Sequence, residues 1–348
     1  MTSLASAQFL PPPDRDVRAI RCVACGGPAG RILLTAAEIS GEQLWLKRFH
    51  AARVAGGDAK DRSSFTQSAS RSVVACTACG TVLRVPRPSD EEVEEAYADD
   101  AYGDEALQRL AENQDAFFVA KLAQLAPYFA ELHRGARVLE IGSFVGGFLK
   151  AAQQRGWHAT GVDVGEETTR FARARGCDVI EGDVLELELA PRSFAAVFVW
   201  STFDQLAEPA AVLDRAGALL RPGGLLVLRV PNGRFEIACL DLRRAARGSR
   251  RARNVLCAQV YNNFVSFPYL TGYTPESLGG FLEEHGFACV QIGGDTILPL
   301  ADDDTLPFAV TEEARVKRAV RRACRTAERT TGLLFDPWLD VIARHGAQ

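Results

Sequence analysis

The sequence predicts an α/β fold in which a doubly wound parallel sheet carries helices on both faces, with a small cysteine-bearing module ahead of it. Three observations lead there: a strand-turn-helix-strand run from Arg137 to Asp163, an alternation of apolar strands and helices through residue 230, and two C-x-x-C pairs near the N-terminus. At 348 residues and 47% hydrophobic content, the chain is long enough for one large domain and a small one. The expected order is a flexible tail (1–20), a zinc-binding module with an insertion (21–88), a helical linker (89–135), a main domain (136–300, with an addition at 233–273) and a C-terminal helical extension (301–348).

The opening residues, through Pro11-Pro12-Pro13, contain neither a basic leader nor a long apolar stretch, and nowhere are there about 18 consecutive apolar residues. A cytoplasmic protein without a membrane span is expected. Nine cysteines, an odd number, in such a chain point to reduced thiols and a metal rather than a disulfide framework. Cys22-x-x-Cys25-Gly26 and Cys76-x-x-Cys79-Gly80 repeat one pattern. The glycine after each pair allows the turn in which both thiolates converge. Four sulfurs complete a tetrahedron, which suits zinc and leaves no open position, so the ion is expected to be structural. The competing role is four buried free thiols. Fifty residues separate Cys25 from Cys76, so residues 30–70 are expected to loop out of the module.

Val82 to Pro88 predicts a closing strand ended by two prolines, and Ser89-Asp90-Glu91-Glu92 a capping box. A longer helix is expected from Glu105 to Leu132, with Leu107, Leu110, Phe117, Phe118, Leu122, Leu125 and Phe129 at mostly helical spacing. Its aromatic stripe fits core packing better than cofactor lining.

In the central run, the apolar strand Val138-Leu139 leads into Gly142 and Gly146, a helix closed by Gly156, and a strand ending at Asp163. Dinucleotide sites use G-x-G-x-x-G, whose middle glycine admits a pyrophosphate, but Phe144 stands in that place and Glu140 adds negative charge. A cationic nucleoside without phosphate fits better, and S-adenosylmethionine has that chemistry, with ribose hydroxyls for Asp163 to accept. Further strands follow at Cys177 to Asp183, Phe194 to Trp200 and Leu219 to Asn232. Thr274-Pro275 opens a late helix that Gly286 ends before the strand Phe287 to Ile292.

The run from about residue 100 to 295 resembles class I S-adenosylmethionine-dependent methyltransferases. The resemblance is carried by Glu140-x-Gly142, Asp163, Gly182-Asp183 and the Arg221-Pro222-Gly223-Gly224 turn. It implies a Rossmann-like sheet on which Glu140, Gly142, Ser143, Phe144 and Gly146 lie against the methionine part. It also implies that Asp163 with Val164 holds the ribose, that Asp183 and Val184 border the adenine, and that Trp200 and Phe203 flank the transferable methyl. With the cysteine-rich front, the chain is similar to bacterial methyltransferases with an N-terminal zinc-binding segment, some of which modify sugars. A small-molecule or carrier-linked sugar acceptor is the expectation by analogy.

Methyl transfer is an in-line displacement that needs a base only if the acceptor carries a proton. Where many relatives place a glutamate-histidine pair, this chain has Asp204-Gln205. Asp204 is therefore the candidate base, with a helix cap or surface carboxylate as its competing role. His285 is expected to cap a helix end. Tyr261, Asn262, Asn263, Tyr269 and Tyr273 form a stretch dense in aromatics and amides, suited to ring faces and hydroxyls, with core packing as the rival role. Six arginines from Arg243 to Arg253 could grip phosphates, although a solvated helix face is the plainer reading. A net charge of -4 does not indicate a globally basic nucleic-acid binder. A zinc-ribbon nucleic-acid-binding protein or RNA methyltransferase is the alternative, and a nicotinamide oxidoreductase founders on Phe144.

Overall fold

The computed structural model describes residues 20–51, 71–87, 103–261, 264–265, 269–296 and 311–346. The tail before residue 20, the capping box from Ser89 to Glu92, and Asn262 and Asn263 lie outside these residues. Strand β1 (Ala29–Leu34), helix α1 (Ala36–Ala51), β2 (Ser72–Cys76) and β3 (Val82–Val85) build the first module, with β2 antiparallel to both other strands. The stretch after residue 30 was expected to loop out, but it begins as one of the module's own strands. The reason is burial. Val73 and Val74 of β2 are both sealed from solvent on opposite faces, Val73 in a core with Ile39 and Leu46 of α1, and Val74 in the core of the large sheet. A central strand needs a partner on each edge, and β1 supplies one.

The chain continues through α2 (Asp104–Gln124), β4 (Arg137–Ile141), α3 (Gly147–Gln154), β5 (His158–Asp163), α4 (Glu166–Ala174), β6 (Asp178–Glu181), β7 (Phe194–Trp200), α5 (Pro209–Leu219) and β8 (Leu220–Pro231). After them come α6 (Gly233–Ala245), α7 (Arg250–Gln259), β9 (Thr271–Gly272), α8 (Pro275–Glu284), β10 (Phe287–Asp295), α9 (Thr311–Thr331) and β11 (Trp338–His345). Seven strands form one sheet in the order β10-β11-β8-β7-β4-β5-β6. The five strands from β4 to β8 pair in parallel, and β11 runs antiparallel to both of its neighbours. The late helix forms as expected, with a reciprocal Thr274–Ser277 capping box and Pro275 in its first turn.

Of the expected helical extension over 301–348, α9 is helical, but the last part of the extension is the strand β11. Trp338, Leu339, Val341, Ile342 and Ala343 are all buried because this strand enters the sheet between β8 and β10. A run that is apolar on both faces is the mark of an interior strand, and Asp340 had masked it. One face of the sheet packs Leu139, Val197, Leu226 and Val341 against α5 and α8. The other packs Phe198 and Trp200, together with Phe148 of α3, against Phe118 of α2, so the aromatic stripe of that helix is core.

Asp340 is polar for a reason visible only in three dimensions. Lys121 Nζ lies 2.8 Å from both Asp295 Oδ2 and Asp340 Oδ2, and donates also to Gln124. Arg229 completes the group, with Nε 2.8 Å from Asp340 Oδ1 and a terminal nitrogen 2.7 Å from Asp295 Oδ2. Burial alone would raise the Asp295 carboxyl, but Arg229 and Lys121 outweigh it and hold the group below its ordinary range. Four buried charges of zero net sum thus fasten α2 to β8, β10 and β11. Because every member is paired, removing one strands the rest in low dielectric. Lys121→Met is expected to lower unfolding stability by about 3–5 kcal/mol in urea titration; a loss within 1 kcal/mol, the size of an exposed pair, would contradict this account.

Candidate functional site: a strand-edge cleft beside a cysteine centre

The two knuckles have matching turns. Gly26 N donates to Cys22 O at 2.9 Å and Gly80 N to Cys76 O at 3.0 Å, with both glycines at positive φ (65° and 75°). These turns bring all four Sγ atoms within 4.8 Å of one another. Cys22 and Cys79 are 3.7 Å apart at sulfur, and Cys25 and Cys76 are 3.6 Å apart. A tetrahedron with metal–sulfur bonds of about 2.3 Å has edges of about 3.8 Å, so the cluster has the size zinc requires.

At the carboxyl edge of the large sheet, three turns meet. The first runs from Gly142 to Gly146, both at φ 78°, with Phe144 also at positive φ (46°). A side chain on Gly142 would overlap Thr202, so the turn and the loop after β7 are in close contact. The second turn follows Asp163, whose Oδ2 accepts from Phe144 N at 2.7 Å and whose Oδ1 accepts from Gly165 N at 3.0 Å and Thr168 Oγ1 at 3.3 Å. In the third, Gly182 N donates to Asp163 O, with Asp183 exposed and Val184 buried beyond it. Val164 stands 57% exposed at the tip, an uncovered apolar face beside the carboxylate.

Glu140 is buried and its Oε2 has no hydrogen-bond partner. Burial, with Asp163 as the nearby like charge, pushes its carboxyl well above the ordinary range. Burial also raises Asp163, against the opposing pull of the donors at Phe144 and Gly165. A diphosphate would meet two carboxylates here, whereas a cation would relieve both. The Phe144 side chain packs against Leu107, Ala111 and Val145. Charge opposes a diphosphate here whatever the phenylalanine's bulk contributes. Ser143 Oγ and Trp200 Nε1 are further buried groups without partners at the same edge. One lone pair of Asp163 Oδ2 remains for a hydroxyl. These residues fit S-adenosylmethionine on chemistry: paired negative charge, orphaned polar atoms and an exposed apolar tip.

The loop after β7 leads from this edge to a second polar site. Asp204 is fully buried, and among the described residues neither carboxylate oxygen has a hydrogen-bond partner. Burial pushes its pKa up to about 8. Its charge acts on Tyr269 and Tyr273, two phenols that burial holds above their ordinary range. Leu270 N donates to Asp204 O at 3.0 Å, which fixes the insertion against the loop. The Tyr273 ring forms a three-ring cluster with Phe203, 5.6 Å away, and Phe281.

The structure thus brings Asp204, Tyr269 and Tyr273 together, next to the loop that touches Gly142. Phe203 is placed in the core beneath Tyr273. Tyr261 packs against Phe49 of α1, apart from the carboxylate. His285 takes the expected C-cap position and contacts Asp214. Of the basic run, Arg243 binds Gln259 and Glu42, and Arg244 reaches Leu33 O, so both fasten α6 to the first module. Sequence reasoning missed Arg87. It stands between two prolines in a strand-end context, with no spacing signal to mark it, yet it bonds to the loop after Asp204 and to Thr271.

A family model described as a methyltransferase domain matches residues 110–292, more than half of the chain. Among curated proteins, the ubiquinone biosynthesis O-methyltransferase of Xylella fastidiosa (strain 9a5c) is 32% identical over 108 residues, covering 28% of this chain and 43% of that protein. The chain therefore spans less than half the length of this relative. Among solved structures, an S-adenosylmethionine-dependent methyltransferase from Archaeoglobus fulgidus is 21% identical, with TM-score 0.42 over 65% of this chain and 92% of that one. One from Mesorhizobium loti is 19% identical, with TM-score 0.41 over 64% and 97%. With the family model spanning the strand-edge cleft and the sheet that carries it, the chain belongs to the methyltransferase-domain family, in the class I S-adenosylmethionine-dependent fold.

Proposed function

We propose that the protein transfers a methyl group from S-adenosylmethionine to an oxygen of a small-molecule acceptor, a sugar or a phenolic natural product, and that Asp204 takes the acceptor's proton. The observation that carries this reading is the buried, unpartnered Asp204 carboxylate beside two phenols, one loop away from the Gly142 turn. When bound, the cofactor would supply an activated methyl on a cationic sulfur for in-line displacement, and Asp204 would take up the proton of the acceptor hydroxyl. Glu140 and Asp163 provide the negative environment for the cationic end and the ribose. Val164, Asp183 and Val184 border the base. Tyr269 and Tyr273 offer ring faces and hydroxyls for orienting the acceptor. The relative from Xylella is named as an O-methyltransferase, in keeping with an oxygen acceptor. An RNA acceptor is less well supported, because two arginines of the basic run serve the module contact instead.

Zinc at Cys22, Cys25, Cys76 and Cys79 is the second part of the proposal, in a structural role, since four sulfurs fill its coordination shell. Purified protein is expected to carry about one zinc per chain by plasma mass spectrometry, and Cys76→Ser to lose the metal together with part of its thermal stability. A metal content near zero in protein purified without chelators would refute the site.

Titration calorimetry is expected to show S-adenosylmethionine binding that weakens about 10- to 100-fold in Asp163→Ala, the worth of a hydrogen bond to a charged group. Transfer of tritiated methyl to nucleotide sugars, lipid-linked glycans, catechol-type phenols and total RNA then identifies the acceptor. Label entering only RNA would sink the small-molecule reading.

Asp204 makes a prediction that requires no acceptor. Its folded pKa of about 8 lies above the unfolded value of about 3.9, so the folded state holds the extra proton. Its contribution is complete below about pH 4 and is lost as the pH rises through about 8. Wild type is therefore expected to lose stability relative to Asp204→Asn between about pH 5 and 8, by up to about 1.4 kcal/mol per unit. Parallel pH–stability curves for the two proteins would show that Asp204 is not held in an apolar site.

A further inference from the structure

We infer that Arg87, at the end of the cysteine module, is a positioning residue for the acceptor pocket. It holds the loop that carries Asp204 against the strand that leads to Tyr273 and keeps water from the carboxylate between them. The inference rests on the functional reading of Asp204 above. Three contacts carry it. Arg87 donates from one terminal nitrogen to Leu206 O at 2.6 Å and to Ala207 O at 3.2 Å, both in the loop directly after Asp204. Its other terminal nitrogen reaches Thr271 Oγ1 at 3.3 Å, two residues before Tyr273. One planar guanidinium thus spans two segments far apart in sequence, and it starts from a third.

The side chain is mostly sequestered, and burial lowers its pKa while the neighbouring Tyr273 phenol opposes that shift. A desolvated arginine with no carboxylate partner among the described residues is costly to place, and carbonyl acceptors at loop positions are what make it tolerable. Lysine could not reproduce the arrangement, because a point charge on a flexible stem lacks the fork that meets three acceptors in fixed directions. The groups facing Asp204 from the packed elements are the Tyr269 and Tyr273 phenols of the insertion, and Arg87 faces Tyr273 in turn. Arg87 therefore acts through Tyr273 and the loop carbonyls. Without it, the loop and β9 lose their shared anchor, water enters, and the desolvation that lifts Asp204 to about 8 is relaxed.

The test uses full-length, metal-containing protein and the variants Arg87→Met, Arg87→Lys and Thr271→Val. Amide exchange in Arg87→Met is expected to speed up about tenfold or more at residues 203–207 and 269–273, with β4 and β5 unchanged. The midpoint of the pH-dependent stability difference between Asp204 and Asp204→Asn proteins should fall by about one unit or more in the Arg87→Met background, with partial recovery in Arg87→Lys. Binding of S-adenosylmethionine by calorimetry should be unchanged. Wild-type exchange in the loop, an unmoved midpoint, or an increase spread evenly over β4 and β5 would each overturn the inference. If Arg87→Met does not fold, Arg87→Lys and Thr271→Val decide: local acceleration in each supports the role, and wild-type exchange in both rejects it. Failure of the wild type to bind S-adenosylmethionine would count against the proposed function, while the exchange result stands as a separate fact.

Discussion

The arrangement of the whole molecule depends on a main-chain splice at residues 271–273. On one side, β9 pairs with β3 of the cysteine module, Val82 opposite Gly272 and Leu83 opposite Thr271. On the other, Tyr273 N donates to Pro231 O and Gly233 N to Tyr273 O, at the end of the large sheet's β8. Thr271 and Gly272 therefore belong to the ladder of one sheet, and the next residue, Tyr273, bonds to the end of the other. The crossing is tight enough that a side chain on Gly233 would press into the Gly272 carbonyl, and one on Gly272 would meet the backbone of Gly233. Glycine is required at 233, and favoured at 272, for close approach rather than for positive φ. The splice also covers the free edge of β3, which would otherwise remain a site for pairing with other chains.

That splice forces Tyr273 into the space between the sheets and brings the module's last described residues against the loop after β7. The consequence is a dry polar site that neither sheet could form alone. It contrasts with the charge group on the opposite face. Lys121, Arg229, Asp295 and Asp340 have their hydrogen-bonding capacity turned on one another, and Arg229 also lies 4.8 Å from the centre of the Phe117 ring. Such a satisfied network fixes structure and has nothing left to offer a ligand. Asp204, Glu140, Ser143 and Trp200 are equally buried and have atoms left unpaired. A folded protein tolerates several such groups near one sheet edge where a ligand completes them.

The sequence was most readable where local rules act alone. The Gly142–Gly146 turn, the Thr274 cap, the C-x-x-C knuckles and the five strands from β4 to β8 follow from spacing, and all form. The strand-edge carboxylate Asp163 was legible for the same reason, since a strand's end and its residue lie together in the chain. Two features were hidden. Strand β11 follows a long amphipathic helix and carries Asp340 in its middle, so its apolar run reads as part of a helical extension rather than as an interior strand. Only the pairing with Lys121 and Arg229 explains the aspartate, and those residues are 219 and 111 positions away. Arg87 was hidden likewise, because its partners at Leu206, Ala207 and Thr271 are backbone carbonyls and a hydroxyl that carry no sequence mark. Residues 30–51 were misjudged because two-sided burial of Val73 and Val74 is a property of the assembled sheet.

Phe144 contributes to the turn through its backbone as well as its side chain. A phenylalanine in the middle of a glycine turn suggests a steric block to a diphosphate, and its side chain packs on Leu107 and Ala111 of α2. That backbone has a definite task. Held at positive φ, Phe144 points its N–H at Asp163 Oδ2 and so fixes the carboxylate across from Glu140. A non-glycine residue pays conformational strain of about 1 kcal/mol or more there, and the aromatic packing against Leu107 and Ala111 is what opposes it. The turn therefore assembles two carboxylates in low dielectric, and the proposed preference for a cationic ligand rests on that charge. A glycine at 144 would relieve the strain without removing either carboxylate. On the proposed reading, the preference is thus set by charge and would outlast the very substitution that makes the motif look like a dinucleotide site.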